Sequence, residues 1–184
     1  MLGPVIEGER IRLEPPRAEF LPAYLRWFSD MEVTRYLLSR FPFTVKQEES
    51  WLEETARDPH KVVWAIVVKE SDRLVGGSGL DRIDWRNRRA ESGTMIGEKD
   101  AWGKGYATEA MMLRTRYAFR ELGLEKVITH VIEPNTASRR ALERVGYREC
   151  GRYRRHQLVD GQWHDAWLGE ILRDEWEARQ EKTP

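Results

Sequence analysis

One cysteine, Cys150, occurs among the 184 residues. A lone thiol forbids an intrachain disulfide and supplies too few sulfur ligands for a cysteine-built zinc site, so no metal is expected. Net charge is also missing: 31 Lys and Arg balance 31 Asp and Glu. No global field therefore draws the chain to nucleic acid or to an anionic membrane. No apolar run approaches the ~18 residues of a membrane helix, and Met1 to Arg10 has no basic stretch leading into an apolar one. A cytoplasmic protein is the expectation. Repeats, linkers and low-complexity segments are lacking too, so residues 1–184 are expected to form one domain around one core.

What is present alternates between two periods. Ile6 to Glu14 sets Ile11 and Leu13 against Arg10, Arg12 and Glu14, the pattern of a half-buried strand closed by Pro15-Pro16. Phe20, Leu21, Tyr24, Leu25 and Phe28 recur at helical spacing over Ala18 to Phe28, with Trp27 at the border of the stripe. Thr44 and Gln47 form a capping-box pattern opening a helix that carries Trp51 and ends before Asp58-Pro59. The aromatic connection Val33 to Phe43 reads as a packed crossing, with the wall of a substrate cleft as the alternative. Val62 to Lys69 and Leu74 to Ile83 read as a hairpin, and Glu91 to Ile96 as the next strand. A helix towards Leu122 leads to Val127–Ile132, expected parallel to its predecessor. Asn135 caps a helix that Gly146 ends, Asp160-Gly161 signals a hairpin, and Asp174 to Gln180 reads as a frayed terminal helix.

The chain is organised around Gly103-Lys104-Gly105-Tyr106-Ala107-Thr108. Two glycines spaced by one residue let backbone N–H groups turn to a common point. The helix behind them adds unpaired first-turn N–H groups and the positive end of its dipole, so an anion, most often phosphate, is the expected occupant. Lys104 adds a charge. A dinucleotide turn, with Glu133 as its ribose carboxylate, is the weaker reading: a third glycine is missing where Thr108 stands, and the turn from Ile96 to Gly103 is too long.

The order of elements, the loop Gly103 to Ala110, the opening Asn135-Thr136-Ala137-Ser138 and the ending Leu142 to Tyr147 resemble the GNAT superfamily of acyl-CoA-dependent N-acyltransferases. Trp102 and the hairpin Asp160-Gly161…Trp163-His164-Asp165 are similar to its RimJ/RimL branch, which acetylates N-termini of ribosomal proteins. The resemblance implies an α/β fold of GNAT type, with a mixed central sheet, helices on both faces and a C-terminal β-hairpin. It implies acetyl-CoA as acyl donor and an amine acceptor, favouring a protein N-terminus over a small amine such as a polyamine, aminoglycoside or amino acid. Succinyl-CoA as donor, a non-catalytic CoA-binding module and a homodimer stay open.

On this reading Trp102, Gly103, Lys104, Gly105, Tyr106 and Ala107 hold the pyrophosphate, and Thr94, Met95 and Ile96 hold the pantetheine arm as an added strand. A backbone N–H near Met95 is the expected oxyanion donor, unless ordinary ladder pairing consumes it. Asn135 is an N-cap first, and the resemblance adds contact with the arm. Ser138 is either a solvated first-turn residue or a donor to the departing sulfur, and Arg139 on the same helix face reads first as a solvated arginine, with a phosphate contact as the alternative. Glu91 is the candidate base, with a salt-bridged strand-end carboxylate as the alternative. His130 reads as a core histidine and His156 as a second candidate base. Two departures from the superfamily pattern are visible: Asp100 stands where a Gln or Arg is common, and Leu142 where a tyrosine general acid is common. Cys150 is expected to be a small packed residue, so transfer is expected to be direct.

Overall fold

The computed structural model describes residues 1–37, 39 and 41–181. Eight strands form one mixed sheet in the order β1-β2-β3-β4-β5-β6-β8-β7. The N-terminal alternation divides into β1 (Ile6–Glu7) and β2 (Ile11–Glu14), because the Gly8 N–H bonds Ile11 O and turns the chain into a hairpin. β3 (Val62–Val68), β4 (Arg73–Asp84) and β5 (Arg89–Ile96) continue antiparallel. β6 (Lys126–Ile132) runs parallel to β5, as expected of a helical crossover. β7 (Arg148–Val159) and β8 (Gln162–Leu172) close the sheet as a hairpin around Asp160 and Gly161, both at positive φ.

One face carries α1 (Leu21–Phe28), the short α2 (Met31–Thr34) and α3 (Val45–Arg57); Leu21, Tyr24 and Trp27 form its small core. The Thr44 capping box is complete at the start of α3. The other face carries α4 (Tyr106–Arg120), α5 (Thr136–Val145) and α6 (Arg173–Gln180) over the main core. α6 is anchored rather than frayed: Trp176 is buried, its ring 5.6 Å from that of Phe119. Cys150 is exposed on β7 instead of packed.

The faces can be followed across the sheet. Trp64, Ser78 and Thr94 pair in register, and Trp64 packs on Tyr117 of α4 with ring centroids 5.2 Å apart. The alternate residues Val63, Gly77, Gly79, Asp81, Glu91, Gly93 and Met95 therefore look towards α1 and α3. No helix among the described residues is long and apolar enough to cross a membrane.

Candidate active site

β5 and β6 pair only from Arg89 to Glu91 against Lys126 to Ile128. Beyond Glu91 the two strands diverge. Ser92 O accepts from Thr129 Oγ1 at 3.0 Å on the β6 side, whereas Gly93 O accepts from Ser78 Oγ and from Arg114 Nη1 at 2.7 Å. Backbone groups alternate along a strand, so those of Thr94 and Ile96 open into the gap and those of Met95 enter the β4 ladder opposite Gly77. The unpaired N–H expected near Met95 is thus that of Thr94. Ile96 O is already taken by Trp102 Nε1 at 2.8 Å.

The chain leaves β5 at the open end of the gap and turns over 97–105 into α4. Gly103 and Gly105 have φ of 74° and 85°, the left-handed region that a glycine pair tolerates, and Gly105 is the helix N-cap. The nest and the free first-turn N–H groups are both present, so the loop fits an anion. Two cations at its rim escaped the sequence reading. Arg10 donates to Lys104 O at 2.8 Å and pairs with Glu109 at 3.1 Å, its guanidinium 5.5 Å from the Tyr106 ring. Arg73 from β4 pairs with Asp100 and Glu98, so a guanidinium stands beside the aspartate that departs from the superfamily pattern. Strand alternation had assigned Arg10 only to a solvent face, and nothing local to it in sequence points to the loop.

Beneath β5, Arg114 is 1% exposed and donates through Nη1 to Ser78 Oγ, Gly93 O and Thr94 Oγ1, with no carboxylate among its described partners. Its place in the apolar stripe of α4 was the available signal. The three acceptors offset part of the cost of burying the charge, and they fix the stretch of β5 that borders the gap.

Asn135 caps α5 as expected, its Oδ1 accepting from the Ser138 N–H at 3.2 Å. Ser138 and Ala107 both lie on first turns, of α5 and α4. Arg139 is committed elsewhere: it pairs with Glu143 at 2.9 Å and Glu149 at 3.3 Å and covers Trp167. Its described partners are these carboxylates and Trp167, and none lies on the loop. Leu142 is core, and Tyr147 does not replace the missing tyrosine, because its buried hydroxyl lies 3.4 Å from both Ser92 Oγ and Thr115 Oγ1.

On the α1/α3 face a cavity of about 480 Å³ lies directly over β3 to β5. Its floor includes Gly77, Gly79, Gly93 and Met95, and Tyr24, Phe28, Phe43 and Trp51 stand among its walls. The Val33 to Phe43 connection contributes Leu37, Ser39 and Phe43, so it walls a cleft rather than merely crossing. Glu91 is on this face, held by Arg82 at 2.9 and 3.1 Å. His130 shares the face and is exposed, contrary to the core reading, because it lies where β6 has left β5. Its ring meets that of His156 at 5.2 Å, and His156 stacks on Tyr153 at 4.9 Å. Desolvation by the surrounding strands, then His156, holds the His130 pKa below the usual histidine value, with Glu91 opposing the shift. Cys150 is pushed the other way, upward, by desolvation and then Glu170, which keeps it a thiol. No cluster of metal-ligating side chains occurs among the described residues.

An anion loop, a gap between parallel strands and a walled cavity thus meet along β5. Residues 10–148 match the family model for the acetyltransferase (GNAT) domain. An uncharacterized N-acetyltransferase, p20 of Bacillus licheniformis, is 30% identical over 172 residues, covering 91% of this chain and 96% of its own. A Bacillus subtilis protein named "Putative ribosomal N-acetyltransferase YdaF" is 38% identical over 57% of each chain. In structure, the spermidine N-acetyltransferase of Vibrio cholerae, solved with CoA and spermine, superposes with a TM-score of 0.86 at 19% identity, over 92% of this chain and 99% of its own. At that identity the likeness speaks for the fold alone. The family match covers most of the chain, loop and splayed strands included, and the protein belongs to the GNAT family of N-acetyltransferases.

Proposed function

We propose that the protein transfers an acetyl group directly from acetyl-CoA to a primary amine, with a protein N-terminal α-amine as acceptor. One observation carries the proposal: the gap at Thr94 and the cavity at Gly93 open on the two sides of a single strand. A thioester in the gap and an amine in the cavity would meet there without a covalent enzyme intermediate, which suits an unactivated Cys150.

The residues present fit the donor. Gly103 to Ala107, with Lys104 and Arg10, would hold the pyrophosphate, and Trp102 would brace the loop. Thr94 and Ile96 would hold the arm through their backbones, with Asn135 beside them. Acetyl-CoA, when bound, supplies the activated acyl group. The Thr94 N–H, open to the gap, would donate to the acyl oxygen as charge develops, and Arg114 fixes this stretch of β5 from below. Ser138 Oγ, on the first turn of α5, would donate to the departing sulfur.

For the proton of the amine, the structure favours His130 over the Glu91 expected from sequence. Glu91 is tied to Arg82, whereas His130 has a neutral ring at pH 7 and a carboxylate near enough to stabilise its cation. Support for a protein N-terminus comes from the relative named for ribosomal N-acetylation and from the RimJ/RimL-like Trp102 and Asp160-Gly161 features. The cavity of about 480 Å³ with its aromatic walls favours a small amine as second reading.

One panel tests acceptor and donor together: acetyl-CoA and succinyl-CoA, each with ribosomal-protein N-terminal peptides, spermidine, an aminoglycoside and free amino acids, products read by mass. Acetylated peptide is the expected product. Acylation of small amines alone would sink the N-terminus reading. His130→Gln is expected to lower kcat/KM about 10²-fold and to remove the acid limb of its pH profile; a profile unchanged in shape would return the base to Glu91.

A further inference from the structure

The cavity contains a polar pair that the transfer chemistry does not use. Glu48, in the first turn of α3, lines it and is 4% exposed, yet no described residue donates to its carboxylate. The Tyr24 hydroxyl lines the same volume, is equally buried, and also has no described hydrogen-bond partner. Both polar groups line the cavity and have no described partner on the protein, so a ligand entering that volume would complete them.

The surroundings state the ligand's charge. Trp51 stands three residues after Glu48, hence on the same helix face, and meets Tyr24 edge-on at 6.1 Å. Phe28 and Phe43 meet edge-on at 5.0 Å on the same cavity. Aromatic faces and a carboxylate both attract a cation, and neither attracts an anion. Lys61, the one cation among the described lining residues, is paired with Asp81 at 3.0 Å and leaves Glu48 uncompensated.

We propose that Glu48, Tyr24 and the wall of Phe28, Phe43 and Trp51 form a subsite for a second cationic group of the acceptor, an ammonium or guanidinium distinct from the amine that is acetylated. This rests on the cavity being the acceptor side of the transferase. Burial raises the Glu48 carboxyl above its ordinary value; an entering cation would favour its charged form and donate to it, with the Tyr24 oxygen as second acceptor. The cation is supplied either by a Lys or Arg side chain near the N-terminus of a peptide or by the second amine of a polyamine.

The test is Glu48→Gln, assayed with matched probes: peptides with Lys or norleucine at the second residue, and spermidine against butylamine. Wild type is expected to prefer the cationic member of at least one pair. The substitution is expected to lower kcat/KM for that member by at least about tenfold and to leave the neutral member and CoA affinity unchanged. Equal loss for both members, or no change for either, overturns the subsite. Which pair responds identifies the source of the cation.

Calorimetry of spermidine and of the Lys peptide on the CoA-bound protein keeps the subsite separable from the transferase reading. Cation binding that Glu48→Gln abolishes, with no acceptor acetylated, upholds the subsite and refutes transfer; binding that the substitution leaves intact refutes the subsite. A fall in the melting temperature of Glu48→Gln would show a structural carboxylate and overturn the proposal. Tyr24→Phe, expected to weaken the same probes less, gives the same reading if Glu48→Gln does not fold.

Discussion

Gly93 offers a substitution whose effects on stability and on turnover run in opposite directions. It lies in the middle of β5, paired opposite Gly79, and a Cβ built on it meets nothing within 4 Å. Its side of the strand faces the cavity. Relative to alanine, glycine inside a strand costs about 0.5–1 kcal/mol of conformational entropy, and valine adds strand preference. Gly93→Ala and Gly93→Val should therefore raise stability by about that amount, which for a chain of this length is a rise of roughly 2–4 °C in Tm per kcal/mol. Valine also projects three carbons over the meeting point of the two openings. Displacing an attacking group by about 1 Å costs on the order of 10²-fold, so kcat/KM for the amine should fall steeply in Gly93→Val and mildly in Gly93→Ala, with CoA affinity unaltered. Thermal melts, a thiol-release assay and calorimetry with CoA measure the three quantities. A valine variant that is more stable and fully active would show that the acceptor does not cross this floor. One that melts lower would refute the account of the strand itself.

At the loop, Gly105→Val places a branched side chain at φ 85° with its Cβ 3.0 Å from Arg10 Nη2; left-handed strain of about 1–2 kcal/mol should abolish CoA binding in calorimetry and lower the melt by roughly 2–8 °C, with the protein still folded. Asn135→Ala should cost about 1 kcal/mol through the lost cap, whereas Asn135→Asp keeps the acceptor for the Ser138 N–H and should keep the stability; loss of activity in the aspartate variant alone isolates the contact with the arm. Acid should weaken the fold through Glu98. Burial raises its pKa, but Trp27 Nε1 and Arg26 outweigh that and hold it below the ordinary value. A depressed folded pKa gives stability that is present above the unfolded value of about 4.3 and lost as pH falls through the folded one. Glu98→Gln should therefore melt below wild type at pH 7, and the two should converge as pH falls through the folded pKa of Glu98; a constant difference would refute the assignment.

The parts legible in sequence were those written in local chemistry. The Thr44 capping box, the positive-φ glycines of the loop, the Asn135 cap and the Asp160-Gly161 turn each depend on residues within a few positions, and each forms as read. The misreadings involve partners distant in the chain. Arg10 is 94 residues from the carbonyl it binds at Lys104, and His130 is exposed only because β6 leaves β5 after three pairs. Glu48 carries no signal in the sequence beyond its place just after the Thr44 cap. Its isolation comes from the aromatic residues that α1 and the following connection fold over it, which helical spacing cannot report. That the backbone groups open to the gap are those of Thr94 and not of Met95 is a matter of strand phase, set by which edge of β5 keeps its ladder.

The gap between β5 and β6 is kept open from its outer sides. Two extended strands lying a few residues apart in a sheet should zip together, since each unpaired amide is a donor left unused. Here β6 spends all seven of its residues in register with β8, from Lys126 against Leu172 to Ile132 against Ala166, and β5 is paired with β4 up to Ile96 against Gly76. Each strand is thus steered by its outer neighbour, and the sheet's twist draws the two apart once Glu91 and Ile128 have parted. The slot behaves as a pair of jaws whose hinge is the Arg89–Glu91 ladder and whose handles are β4 and β8. Insertions or register slips in the closing hairpin, far from any reacting atom, would therefore change the bite of the jaws, and amide exchange at Thr94 would report their width.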